Sequence, residues 1–81
     1  MKAYVVLDEQ SRPIAAAMNE AMAMDVLFTI ALQEGKIDEE RGTFDFSSNS
    51  IINVDFNALR ESMFFTEAEI EELENNGAVI V

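Results

Sequence analysis

The sequence predicts an α+β protein, with a small antiparallel or mixed sheet of about four strands and one long and one short helix packed on one face. Three observations carry that reading. Runs of β-forming residues stand at Ala3–Leu7 and at Ile51–Phe56, where Ile52, Val54 and Phe56 alternate with Asn53 and Asp55. A long apolar-rich stretch lies between Asn19 and Gly35, residues suited to begin and end a helix. A second stretch, Thr66–Gly77, carries helix signals at both ends. The 81 residues are read as a single domain, 1–81.

Taken in order, Ala3–Leu7 (Ala-Tyr-Val-Val-Leu) is the first strand. Asp8–Pro13 is polar and ends in proline, which reads as a turn. Ile14–Met18 returns as a second strand, although its alanines are poor strand formers. Asn19 caps a helix running from about Glu20 to Glu34, and Gly35 supplies the left-handed residue that ends it. On that helix Asp25, Thr29 and Gln33 form a polar stripe, while Ala23, Leu27, Ile30 and Ala31 make the core face. Met22, Met24, Phe28 and Leu32 widen the apolar arc past half a circle. Lys36–Gly42 is a charged loop. Thr43–Phe46 and Ile51–Phe56 are expected to form a hairpin across Ser47–Ser50. Asn57–Phe65 is either a short helix or irregular structure, with Asp55 or Asn57 able to cap a helical turn. Thr66 and Glu69 form a capping box, and Phe65 and Ile70 occupy the positions of a hydrophobic staple. Gly77 ends this helix, with Leu73 and Ala78 placed for the apolar contact of a Schellman motif. Ala78–Val81 is the last strand.

Charge bounds the partners. Sixteen acidic residues face five basic ones, a net charge of −11, against a magnitude of roughly 2–8 for a well-behaved small domain. Direct nucleic-acid binding needs Lys and Arg to neutralise phosphates, so it is not expected. An anionic membrane surface is disfavoured on the same ground. A basic protein surface would be attracted. The acidity is uneven: residues 1–18 sum to zero, whereas residues 57–81 set six glutamates against Arg60 alone. The apolar stretch Ala21–Leu32 is interrupted by Asp25 and Thr29 and is shorter than the roughly 20 residues a bilayer span needs. Ala3–Leu7 is too short for a signal-peptide core and is closed by Asp8 and Glu9. A cytoplasmic location is expected.

The residue inventory argues against catalysis. With neither histidine nor cysteine, the commonest general base, the commonest metal ligand and the most reactive nucleophile are absent. Ser11, Ser47, Ser48, Ser50 and Ser62 have no evident activating base. Asp38, Glu39 and Glu40 are the densest carboxylate group, but they lack the spacing of a calcium loop and read as a solvated turn. The three glycines fit caps and turns, not a phosphate loop. No enzyme activity, catalytic residue, metal or cofactor is expected.

Two features remain. On the last helix Glu67, Glu71 and Glu74 share a stripe flanked by Glu69 and Glu72, with no lysine at i+4 to relieve it. Such like-charge pairs cost about 0.2–0.5 kcal/mol each. The stripe is either a solubilising coat or a row of carboxylates about 5–6 Å apart that imitates successive phosphates and occupies a DNA-binding groove. Glu67, Glu71, Glu72 and Glu74, with Asp38, Glu39 and Glu40 as a second patch, are the expected partner-binding residues. On the first helix, Met24, Phe28 and Leu32 either pack under Leu59, Met63, Phe64 and Phe65 of the Asn57–Phe65 segment or form an oligomer interface, where Met and Phe are enriched. The general profile is similar to that of small phage and mobile-element proteins that inhibit host nucleases, restriction enzymes or CRISPR complexes. The similarity rests on size, acidity, the absent cysteine and histidine, and the simple α+β order, and it places no individual residue. The sequence thus predicts a non-enzymatic inhibitor of a nucleic-acid-handling protein, a DNA mimic. The alternative is a small structural or regulatory homo-oligomer, such as a homodimer.

Overall fold

Asp8 sets the first reversal of the chain. Its Oδ1 accepts from the N–H groups of Gln10 at 2.9 Å and Arg12 at 2.8 Å, and Ser11 takes a left-handed φ of 62°. Strands β1 (Lys2–Leu7) and β2 (Pro13–Ala17) therefore run back antiparallel, with Val5 opposite Ala16 and Val6 opposite Ala15. The register shifts between Val6 and Leu7, beside Pro13, which has no N–H to give the ladder. The structure is a computed structural model describing residues 2–80, with Ile37 described by its backbone alone.

Helix α1 (Glu20–Glu34) begins and ends where the sequence places it. The Asn19 side chain accepts from the Met22 N–H at 2.9 Å. Gly35 turns left-handed, and the Lys36 N–H reaches back to the Ala31 carbonyl at 2.8 Å. Ala23, Leu27, Ile30 and Ala31 are buried as expected, joined by Val26.

The chain then makes a separate two-stranded ladder, β3 (Ile37–Asp38) with β4 (Thr43–Phe44), before entering β5 (Ser50–Asp55). This corrects the expected hairpin between Thr43–Phe46 and Ile51–Phe56. Phe44 and Phe46 turn towards Phe28 of α1, with ring centroids 5.4 and 5.1 Å away. β5 pairs with β1 instead, Val54 opposite Ala3 and Ile52 opposite Val5. The Asn49 amide fixes the start of that pairing by donating to the Leu7 carbonyl at 3.1 Å.

Phe56 opens a helix and does not continue the strand. Helix α2 (Phe56–Ser62) resolves the ambiguous segment; Asp55 holds its N-cap position without a side-chain bond, and Met63 ends it at a φ of 60°. Helix α3 (Glu67–Asn76) carries the full capping box, and Phe65 and Ile70 are both buried in one cluster. At its far end the Gly77 N–H donates to the Leu73 carbonyl at 2.9 Å, the single bond of an αL cap. Strand β6 (Ala78–Ile80) follows; Val81, part of the expected last strand, lies outside the described residues.

The main sheet has the order β5-β1-β2-β6, antiparallel throughout. The α+β class and the four-stranded sheet stand as expected. The placement of the helices on one face is corrected, because they divide between both. Ala3, Val5, Leu7, Ala16 and Val79 bury one face against Phe56, Leu59, Phe65, Ile70 and Leu73 of the α2–α3 layer. Val6 and Ala15 bury the other against Val26, Leu27 and Ile30 of α1. The cause is local: Val5, Val6 and Leu7 are buried in succession, as are Ala15, Ala16 and Ala17. Strands apolar on both faces need cover on both.

Candidate functional site

The structure separates the two acidic patches. Asp38, Glu39 and Glu40 sit at the β3–β4 turn, on the α1 side of the sheet, because Phe44 and Phe46 pack on Phe28. The α3 glutamates lie on the opposite side, with Ile70 and Leu73 anchoring the helix to the sheet. The seven expected partner-binding acids therefore form two surfaces and not one.

Within the turn, Asp38 does structural work. Its Oδ1 accepts from the N–H groups of Glu40 at 3.1 Å and Arg41 at 3.3 Å, and its Oδ2 lies 3.7 Å from the Arg41 guanidinium. Glu39 and Glu40 are exposed around it. Among the described residues, no three His, Cys, Asp or Glu side chains are grouped to hold a metal.

On α3 the glutamates differ in role. Glu69 closes the capping box, its carboxylate accepting from the Thr66 N–H at 2.9 Å. Glu67 and Glu74 share Arg60 of α2, whose guanidinium lies 3.9 Å from Glu67 and donates to Glu74. Sequence spacing along one helix could not reveal Arg60 as the cation of this stripe, because it arrives from another element. Glu71 and Glu72 are exposed, and among the described residues neither has an ion-pair partner. Among the described residues, Arg12 also pairs with Asp8 and Lys36 with Glu34.

Two carboxyls away from α3 are held below their ordinary value. Asp8 is lowered chiefly by the hydrogen bond from the Arg12 N–H, partly opposed by desolvation. Asp45 is lowered by the Ser47 hydroxyl and then by the Ser47 N–H. Both are turn-building carboxylates.

The apolar surplus of α1 is only partly absorbed. Leu59 and Phe65, expected beneath Met24, Phe28 and Leu32, belong to the opposite layer, so that cover is ruled out. Phe44 and Phe46 meet Phe28 edge-on instead. Met24 remains 36%, Phe28 42% and Leu32 65% exposed. A second apolar feature escaped the sequence reading: a groove of about 270 Å³ between β5 and α2, lined by Val5, Leu7, Ile52, Val54, Leu59 and Phe64 among others. The alternation of Ile52 and Val54 was its one visible signal. Among the described residues, no helix is long and apolar enough to cross a membrane.

The chain matches no protein-family model, and neither a curated protein nor a solved structure is significantly similar to it.

Proposed function

We propose that this is a non-enzymatic binding protein that occupies a basic surface of a nucleic-acid-handling protein, as small acidic inhibitors from phages and mobile elements do. The observation that carries the reading is the state of Glu71 and Glu72. They stand exposed on a capped, anchored helix, while Arg60 is engaged by Glu67 and Glu74. A preorganised carboxylate surface of this kind steers and holds a basic groove without needing to order flexible chains. The Arg60 pairs are exposed, and pairs of that kind contribute little, so a partner's cations can replace Arg60 at Glu67 and Glu74.

The test is affinity capture from lysate at low ionic strength with elution by rising salt. A nucleic-acid-binding protein released at high salt, and lost when Glu71→Lys and Glu72→Lys are combined, supports the reading. Retention indifferent to salt, or to that charge reversal, sinks it.

A second reading, a structural or regulatory homo-oligomer, is favoured by the exposure of Met24, Phe28 and Leu32 on one face of α1. It expects Phe28→Glu to lower the mass in solution to that of one chain. An unchanged mass would exclude this face as the interface.

A further inference from the structure

The main sheet has two edges of unequal character. β6 spans three residues and β5 six, and among the described residues no strand lies beyond β5. Proteins blunt a long edge with lysine, proline, a bulge or a covering segment. β5 (Ser-Ile-Ile-Asn-Val-Asp) has no lysine or proline, and its register with β1 is continuous from Ser50 to Asp55. Ser50–Val54 of that edge also lie in Phe46–Val54, nine residues without a charge in a chain of net charge −11. Beside it Ile52 is 43% and Phe64 57% exposed, and both line the apolar groove.

We infer that β5 pairs antiparallel with β5 of a second copy. The two-fold axis stands perpendicular to the sheet at Ile52 or Asn53 and joins the two four-stranded sheets into one. Such an axis keeps each sheet face on its own side, so the two grooves come together along the axis and Ile52 and Phe64 are covered. Charge selects the occupant. The only charge on β5 is Asp55, at its end, and antiparallel pairing sets the two Asp55 residues at opposite ends, each against Asn49 or Ile51 of the other copy. A basic foreign strand would find no carboxylate along Phe46–Val54. Two chains of net charge −11 repel one another, and an edge whose one charge sits at its end lets them approach with little added repulsion. The surface is distinct from the α3 glutamates, so it stands or falls independently of the acidic-surface reading, whereas it competes with the α1 face as the seat of a two-chain mass.

The cysteine-free chain gives a direct test. Ile52→Cys, Asn53→Cys and Leu32→Cys are each oxidised mildly and run on non-reducing gels, and the mass of the unaltered chain is measured in solution. Opposed Cα atoms in an antiparallel pair lie about 4.5–5.5 Å apart, within the roughly 4.4–6.8 Å a disulfide spans. The expected result is a two-chain mass with a disulfide-linked dimer at position 52 or 53 and none at 32. A one-chain mass overturns the inference, as does cross-linking at 32 alone, equal cross-linking at all three, or none at 52 and 53. Ile52→Lys, at an exposed position, should keep the circular dichroism of the folded chain while giving the one-chain mass. A folded Ile52→Lys protein that still dimerises also overturns it.

Discussion

The Arg60 guanidinium on α2 donates to the Glu74 carboxylate on α3, and it also lies 5.7 Å from the centroid of the Phe56 ring. One side chain thus ties two short helices together on the sheet face opposite α1. Arg60→Ala should lower stability by about 0.2–1 kcal/mol, since the pair is exposed. Urea unfolding at low and high ionic strength should show the loss shrinking with salt. The same variant should bind a basic partner more tightly at low salt, because Glu67 and Glu74 are freed. Weaker binding would count against the α3 surface.

The Thr66 hydroxyl accepts from the Glu69 N–H at 3.2 Å while Glu69 answers to the Thr66 N–H. Thr66→Ala removes one half of that exchange and should cost about 0.5–2 kcal/mol in chemical denaturation. Thr66→Ser keeps an acceptor oxygen and should retain most of the stability.

Leu73 is fully buried and Leu32 is 65% exposed, on helices of opposite layers. Leu73→Ala should therefore cost about 2–5 kcal/mol. Leu32→Ala should change stability by no more than about 0.5 kcal/mol. Equal losses in denaturant unfolding would mean that α1 is covered in solution by something outside the single chain.

Asp8 and Asp45 each have a carboxyl pKa lowered from 3.8 in the folded chain, Asp8 first by the Arg12 N–H and Asp45 first by the Ser47 hydroxyl. The folded form holds its protons less tightly than the unfolded form. The stabilisation is therefore present above pH 3.8 and is lost as pH falls through the folded-state values. An NMR titration should place both carboxyls below 3.8. Titration at or above that value would show that the two turns do not hold these hydrogen bonds in solution.

Helix ends were legible because their signals act over a few residues. Asn19 and Gly35 bound α1, and Thr66, Glu69 and Gly77 bound α3, through bonds to groups three or four positions away. Asp55 makes no cap bond, which is why the start of α2 was ambiguous. Strand pairing was less legible. Ile51–Asp55 alternates well enough to be a strand, but alternation does not say which strand it joins, and β1 lies far back in the chain. The two-sided sheet does have a signal in the sequence: Ala3–Leu7 and Ala15–Ala17 are apolar without alternation. Of the candidate site, the exposed glutamates could be read directly. Arg60 could not, since its position against Glu67 and Glu74 depends on how α2 packs beside α3.

The central strand β2 presents alanine to both layers, and the two apolar clusters have no residue in common. Changes at Leu27 of α1 and at Leu73 of α3, which lie in separate clusters, should combine additively, within about 0.3–0.5 kcal/mol. Residues on one surface can therefore be exchanged while the packing beneath the other is kept.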